Sequence, residues 1–241
     1  MGIRPVLVRL LAGGGLRISR QLVIVQGLRK HSRPLTHLDF GSGVGVTSQL
    51  FTAMGYETTL ADVSTPLLDF AKFRLGRRGV EAQYMDLSTS RPLGGGFDVV
   101  TAIDTLAHVP DVAETSAALH EAMAPRGELW ANFDTRPKTR ENAWHLYDDD
   151  LPLRWKLQRA GFEPARAYDG MITRYGRVEV GTTAHMLHGA RDLLLLRGPA
   201  RPAYRRLRHG ALPFAAAGLQ ETRTRLAKRG RSQDVAAGVE R

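Results

Sequence analysis

The stretch that decides the fold is Leu38-Asp39-Phe40-Gly41-Ser42-Gly43-Val44-Gly45. Residues 35–40 are apolar and compact, which predicts a buried strand, and residues 46–54 read as a short helix. Glycines at 41, 43 and 45, here called the glycine loop (residues 41–45), allow positive φ angles and a close approach of a ligand to the backbone. The helix after them offers free N–H groups and a positive dipole end. The stretch therefore predicts a ligand site at the end of the first strand.

Strands and helices alternate along the rest of the chain. We expect five strands, at 35–40, 56–61, 82–85, 97–103 and 128–133. We expect helices at 46–54, from a Ser64 cap to 75, from an Asp111 cap to 123, at 151–160 and at 183–196. Two further strands, 162–168 and 171–180, are separated by Asp169-Gly170, a strong hairpin signal.

This alternation predicts an α/β fold: a three-layer Rossmann-like sandwich. Its mostly parallel seven-stranded sheet ends in a C-terminal antiparallel hairpin and carries helices on both faces. We expect three parts, namely an N-terminal helical cap (1–34, with short helices at 4–11 and 17–30), the ligand-binding domain (35–181), and a helix with a basic C-terminal extension (182–241).

The acidic residue Asp62 stands at the end of the second strand, 21 positions after Gly41. A carboxylate there can accept hydrogen bonds from the vicinal hydroxyls of a ribose. Two cofactor classes use this layout. The dinucleotide fingerprint requires G-x-G-x-x-G or a final alanine, whereas here Val46 fills that last position and the third glycine comes one residue early.

The spacing G-x-G-x-G, with Asp39 two residues before it, resembles the first motif of class I S-adenosylmethionine (SAM)-dependent methyltransferases. The resemblance continues through 84–87, 97–104, the segment Leu106-Ala107-His108-Val109-Pro110-Asp111, and 119–129, where Arg126 replaces a usual glycine. The 106–111 segment is similar to that of the small-molecule and quinone-biosynthesis branch. The resemblance implies that SAM is the cofactor and S-adenosylhomocysteine (SAH) the product. The implied cofactor-binding residues are Asp39, Gly41, Ser42, Gly43, Gly45, Asp62, Val63, Asp86, Leu87 and Asp104.

Three side chains are weak candidates for a base that takes the acceptor's proton: His108, His145 and Tyr147. His108 precedes a predicted helix, so packing or capping explains it as well, and His145 and Tyr147 lie in a segment that a solvated loop also explains. The chain has no Cys. His185 and His188 have no third ligand nearby, so we expect no metal site.

The charge is uneven. The chain carries a net +10, and residues 191–231 contain eleven Lys or Arg against two acidic residues. Such a basic segment is consistent with a solvated tail, with peripheral contact to an anionic membrane through leucines among arginines, or, less favoured, with nucleic-acid binding. The first 38 residues hold seven Lys or Arg and no acid, a composition shared by transit peptides and by a basic helical cap, which we favour.

The sequence therefore predicts a SAM-dependent methyltransferase that acts on oxygen, nitrogen or carbon of a small or lipid-like acceptor. An RNA or protein methyltransferase guided by the basic tail is an alternative, and a SAM-binding or interaction module without turnover is another. No apolar run is long enough to span a bilayer, and the arginine- and alanine-rich composition is typical of a bacterial protein. We expect a cytoplasmic, optionally membrane-peripheral location.

Overall fold

The computed structural model describes Ile24 and residues 35–89, 93–135, 140, 146–168 and 172–207. The strands are β1 (Thr36–Phe40), β2 (Glu57–Asp62), β3 (Gln83–Asp86), β4 (Phe97–Ala102), β5 (Met123–Ala131), β6 (Phe162–Tyr168) and β7 (Ile172–Arg177). The helices are α1 (Val46–Ala53), α2 (Thr65–Gly76), α3 (Val112–Ala122), α4 (Leu151–Arg159), α5 (Thr182–Asp192) and α6 (Arg201–Arg206). The predicted helical cap lies outside the described residues except for Ile24.

The seven described strands form one sheet in the order β3-β2-β1-β4-β5-β7-β6. Neighbours from β3 to β5 pair in parallel, and β7 pairs antiparallel with both β5 and β6. The predicted α/β sheet with a C-terminal antiparallel hairpin is therefore confirmed. The Asp169-Gly170 turn predicted for that hairpin lies outside the described residues.

Helices cover both faces of the sheet. Successive residues of a strand point to opposite faces, so the strands present apolar side chains to the helices on both sides. On one face Phe51 of α1 packs with Val99 and Trp130, together with Ile24. On the other face Leu119 of α3 and Leu157 of α4 pack with Val100 and other strand residues. The carboxyl ends of β1 to β5 share one edge of the sheet, which is where open α/β sheets bind ligands.

Two helix caps were predicted, and the structure confirms the side-chain cap for one of them. Asp111 caps α3 as expected, since its Oδ1 accepts hydrogen bonds from the N–H groups of Ala113 (2.9 Å) and Glu114 (3.1 Å). Ser64 occupies the cap position of α2, but its side chain makes no capping hydrogen bond. The Ser64 backbone N–H is instead held by Asp62 at 2.9 Å, so the start of α2 is fixed from β2.

The fifth strand begins earlier than the sequence predicts. Pro125 and Gly127 suggested a turn that would delay the strand to residue 128, yet β5 starts at Met123, directly after α3. The pairing register shifts between Phe97 and Val99, which face Met123 and Glu128 respectively. Pro125 and Gly127 therefore lie within β5, where they coincide with an irregularity in its pairing with β4, and not in a turn before the strand.

The helix predicted at 183–196 is also interrupted. Its α-helical part ends at Asp192, and residues Leu193–Arg197 continue as a π-helical turn. Gly198 follows, and a Cβ at this position would lie 2.9 Å from the carbonyl oxygens of Leu193 and Leu194. The chain divides into two compact units, up to His185 and from Met186. Among the described residues, no helix is long and apolar enough to cross a membrane.

Candidate functional site

The glycine loop lies at the edge of the sheet between β1 and α1. Gly41, Gly43 and Gly45 have φ angles of 70°, 52° and 73°, the left-handed region that a side chain disfavours. The N–H groups of Gly41 and Ser42 donate to the carbonyl oxygen of Ala61 in β2, at 2.8 and 3.2 Å. The loop is thus fastened to the end of the neighbouring strand.

One side of this loop is packed, and another side is open. A Cβ at Gly41 would lie 2.3 Å from Cγ2 of Thr105, so the residue after Asp104 closes directly on the loop. A Cβ at Gly43 would meet no heavy atom within 4 Å among the described residues. The Oγ of Ser42 is buried, and no described residue hydrogen-bonds to it. A buried hydroxyl beside open backbone indicates a place for a ligand.

Asp62 organises the loop from β2. Its Oδ2 accepts the N–H of Gly43 at 2.8 Å, and its Oδ1 accepts the N–H of Ser64 at 2.9 Å. The side chain is nearly buried. The carboxylate therefore ties the glycine loop to the start of α2, and binding of a ribose diol by its remaining lone pairs stays a prediction.

Asp39 is buried in β1, two residues before the glycine loop. Its Oδ2 accepts the N–H (3.0 Å) and the hydroxyl (2.6 Å) of Ser48 in α1, and its Oδ1 accepts the hydroxyl of Thr101 at 2.9 Å. Burial raises the pKa of the Asp39 carboxyl to about 6, although these hydrogen bonds oppose the shift. Its contacts hold α1 against β1 and β4, and direct contact with a cofactor stays a prediction.

Asp86 closes the site on the β3 side, opposite Asp62 in the strand register. Its carboxylate accepts the hydroxyl of Thr65 at 2.7 Å and the N–H of Ser88 at 2.8 Å. The bonds from Ser88 and Thr65 hold the pKa of Asp86 below its ordinary value. Leu87 is buried and donates its N–H to the backbone carbonyl oxygen of Asp62 at 2.9 Å, while Val63 is 66% exposed. These residues form a partly apolar ledge beside two carboxylates.

Asp104 follows β4 and forms a reciprocal pair with Asn132, which follows β5. The Asp104 N–H donates to Oδ1 of Asn132 at 2.7 Å, and Nδ2 of Asn132 donates to Oδ1 of Asp104 at 2.6 Å. Asp104 is the one described non-glycine residue with a positive φ, 56°. Such strain persists only where surrounding contacts impose it, and it is frequent at ligand sites. The pair therefore fixes a carboxylate at the edge between β4 and β5.

The three weak catalytic candidates have different outcomes. His108 is half-buried in a turn, where its backbone N–H donates to the Thr105 carbonyl oxygen at 2.8 Å. The Tyr147 hydroxyl donates to the carbonyl oxygens of Val109 (3.0 Å) and Pro110 (2.7 Å), which favours a role in holding this segment over proton transfer. His145 lies outside the described residues.

A cationic group also lies at the end of β5. The Arg154 guanidinium, from α4, stands 5.4 Å from the ring centroid of Phe133 and donates to Thr173 and Tyr175 at 3.1 and 2.9 Å. Asp150 accepts from its Nε at 2.7 Å. The charge is thus compensated, and the cluster holds α4 against β7.

Sequence reasoning missed Asn132, Thr105 and Arg154. Asn132 had a usable signal, since it is a polar residue at the end of a parallel strand: it directly follows β5, and Asp62 and Asp86 are the last residues of β2 and β3. Thr105 and Arg154 had none, because their partners lie far away along the chain. Asn132 and Thr105 meet predicted site residues at this edge of the sheet.

The sequence comparison agrees with this geometry. Residues 38–129 match the family model described as a methyltransferase domain. The match covers 92 of the 241 residues, so the similarity to this family is shown for this part of the chain. A relative from Aromatoleum aromaticum, a ubiquinone biosynthesis O-methyltransferase, is 34% identical over 96 residues, which cover 39% of this chain and 41% of the relative. A second, from Pseudomonas paraeruginosa and of the same name, is 31% identical over 107 residues (43% and 46%). The chain thus spans less than half the length of these curated relatives.

Solved structures share the fold of this α/β sheet and its helices. A TehB-like SAM-dependent methyltransferase from Corynebacterium glutamicum superposes with a TM-score of 0.52 at 17% identity, covering 72% of this chain and 95% of that one. The [4+2]-cyclase SpnF superposes with a TM-score of 0.52 at 19% identity, covering 61% and 59%. At this identity the likeness concerns the fold alone, and a cyclase among the neighbours illustrates that one fold supports different chemistry.

Proposed function

We propose that this protein is a SAM-dependent methyltransferase that methylates an oxygen atom of a small molecule. The observation that carries the proposal is the open glycine loop fastened between Asp62 and β1, at the edge of the sheet where the strands that carry Asp39, Asp62 and Asp86 end. Similarity to ubiquinone biosynthesis O-methyltransferases favours an oxygen acceptor over the RNA, protein and non-catalytic alternatives. The acceptor class that follows from these relatives is a hydroxyl on an aromatic or quinone-like ring.

The residues at this edge fit SAM better than a dinucleotide. A pyrophosphate would be repelled by the clustered carboxylates of Asp39, Asp62 and Asp86. SAM has no phosphate, and its ammonium, ribose hydroxyls and adenine amino group are donors that carboxylates accept. We assign the orphaned Ser42 hydroxyl and the glycine-loop backbone to the methionine part, Asp62 to the ribose, and Asp86 with Val63 and Leu87 to the adenine.

When bound, SAM supplies a methyl group on a sulfonium, a good leaving group for an in-line displacement. The chain's own contribution is alignment. The Asp104–Asn132 pair fixes the edge between β4 and β5 beside the glycine loop, and Thr105 packs on that loop. A hydroxyl acceptor also has to lose its proton, and in this proposal the imidazole of His108 or His145 accepts it.

Calorimetry with SAH and methyl transfer from labelled SAM test the proposal. Asp62→Ala should weaken SAH binding by about 1–3 kcal/mol, the loss typical of hydrogen bonds to a charged group. Asp69→Ala, the same change on the exposed side of α2, is the matched control and should bind like the wild type. A panel of phenols and catechols should be methylated, whereas RNA and protein should not. Absence of SAH binding by the wild type would refute the proposal.

A second proposal concerns the unit from Met186 onward: it binds anionic membranes peripherally. Five apolar side chains among the described residues of this unit remain largely exposed, namely Met186 (67%), Leu187 (65%), Leu193 (64%), Leu194 (53%) and Leu207 (59%). They occur in a segment with an excess of arginine, and apolar contact combined with basic charge is what an anionic lipid surface attracts.

Vesicle sedimentation tests this second proposal. The protein should pellet with vesicles that contain phosphatidylglycerol and stay in solution with phosphatidylcholine alone. Leu193→Ser combined with Leu194→Ser should abolish pelleting. Leu67→Ser, which removes an exposed leucine of the first unit, should not. Retention on RNA without pelleting would assign the basic segment to nucleic acid instead.

A further inference from the structure

A histidine sits in the middle of the sheet, where apolar side chains are the rule. His37 of β1 is fully buried. Its ring stacks on Phe51 of α1, with centroids 3.7 Å apart and an interplanar angle of 11°. Burial holds the pKa of His37 well below its ordinary value, so the ring is neutral and has one N–H donor and one acceptor.

Both ring nitrogens have hydroxyl partners. Nε2 lies 2.9 Å from Oγ1 of Thr101 on β4, and Nδ1 lies 3.4 Å from Oγ1 of Thr58 on β2. The Thr101 hydroxyl donates its one proton to Asp39, so it can only accept from His37. This requirement places the His37 proton on Nε2, and the Thr58 hydroxyl is then the donor to Nδ1.

The chain of hydrogen bonds leads from the core to the ligand site. His37 donates to Thr101, Thr101 donates to Asp39, and the second oxygen of Asp39 accepts both bonds from Ser48. Ser48 lies in the first turn of α1, three residues after Gly45. These four side chains, here called the His37 network, therefore connect β1 and β4 to α1, the helix that directly follows the glycine loop.

Stability alone is a weak explanation for this arrangement. Replacing a buried polar network with apolar residues of similar volume is often neutral or stabilising. A network in which every member is satisfied instead fixes one geometry. Here the fixed groups are the Asp39 carboxylate and the start of α1, directly behind the glycine loop.

We propose that His37 is a positioning residue of the SAM site, acting through Thr101 on Asp39 and thereby on the glycine loop. The inference rests on the proposed function, because it assumes that this loop binds SAM. It adds a residue that lies in the core and cannot itself touch the cofactor.

A pH dependence of SAH binding follows from the network. Asp39 holds Thr101 and Ser48 best when ionised, since the carboxylate then accepts all three bonds. Its pKa is raised to about 6, chiefly by burial, and the charge of Asp62 on β2 adds to the shift. Among the described groups that face it, His37 is neutral and Thr101 and Ser48 do not titrate. SAH affinity should therefore fall as the pH drops through about 6.

The test is SAH calorimetry between pH 5 and 8 on the wild type and three variants. His37→Leu leaves Thr101 without its donor, so the Thr101 hydroxyl no longer has to point at Asp39, and the ionised form loses support. We expect about a five- to tenfold loss of affinity at pH 7, equivalent to one ordinary hydrogen bond, and a midpoint moved to higher pH. Thr101→Val, which breaks the same connection without touching His37, should show both effects. His37→Gln, whose amide can donate to Thr101, should restore affinity to within about twofold.

Each outcome decides something. If His37→Leu and Thr101→Val lower the thermal midpoint but bind SAH with wild-type affinity and pH midpoint, His37 is only a packing residue and the inference is overturned. If His37→Leu fails to fold, Thr101→Val carries the same test. If the wild type binds no SAH at all, the proposed function itself is refuted and the inference falls with it.

Discussion

Gly41→Ala should destabilise the protein by about 3 kcal/mol, and the structure gives the two contributions. The backbone at Gly41 has a φ of 70°, which costs an L-residue about 1–2 kcal/mol. The added methyl group would lie 2.3 and 2.4 Å from Cγ2 and Oγ1 of Thr105, and overpacking of this kind costs about 1–3 kcal/mol. For a chain of this length the thermal midpoint should fall by about 6–12 °C.

Thermal unfolding followed by circular dichroism measures the effect, with Gly43→Ala as the matched control. Gly43 has a φ of 52° and no described heavy atom near its Cβ position, so only the backbone cost of about 1–2 kcal/mol remains. Adding Thr105→Ala to Gly41→Ala should recover about 1 kcal/mol, since it removes the two nearest atoms. Equal midpoints for Gly41→Ala and Gly43→Ala would refute the reasoning that Thr105 packs on the loop.

Three further predictions concern the core, the buried charge and the 146–147 segment. Leu119→Ala, at a fully buried position, should lower the free energy of unfolding in urea by about 2–5 kcal/mol, while Leu187→Ala at an exposed position should change it by less than about 0.5 kcal/mol; similar losses would contradict the burial of α3. Burial raises the pKa of Asp39 in the folded state to about 6, so between about pH 4 and 6 the folded protein holds a proton on this carboxyl that the unfolded chain has lost. The free energy of unfolding, relative to that of Asp39→Asn, should therefore decrease by up to about 3 kcal/mol as the pH rises through that window. A parallel pH dependence in the two proteins would show that the pKa is not raised. Tyr147→Phe should cost about 1 kcal/mol through the lost hydrogen bonds to Val109 and Pro110 yet keep methyl transfer, and loss of turnover with intact stability would make Tyr147 a catalytic residue.

Much of the fold followed from local patterns. The glycine loop, the Asp111 cap and the alternation of apolar segments involve residues within a few positions of each other, and the structure agrees with them. The start of β5 did not follow, because Pro125 and Gly127 ordinarily interrupt a strand and only pairing with β4 accommodates them. The side-chain role of Ser64 was wrong for a similar reason, since Asp62, a strand residue, holds the start of α2.

The candidate site divides in the same way. Asp39, Asp62 and Asp86 could be selected in advance because each lies at or near the end of a strand, and parallel strands bring their carboxyl ends to one edge. The different contacts that each of these three carboxylates makes could not be predicted from the sequence. Asp62 holds the glycine loop, Asp39 holds α1 from below, and Asp86 holds the start of α2, and each partner was visible only once the helices had packed.

The sequence by itself determined the fold class, through the glycine loop and the alternation of strands and helices, and it predicted a ligand site at that loop. Only the tertiary structure decided what supports that loop. Thr105 packs on Gly41 and His37 reaches Thr101 across 64 residues of sequence, and Asn132 meets Asp104 across 28. The physical reason is strand register. The helices that connect the strands bring the chain back to the sheet whatever their sequence, and the pairing of β1 with β4 and of β4 with β5 then selects which side chains are in contact.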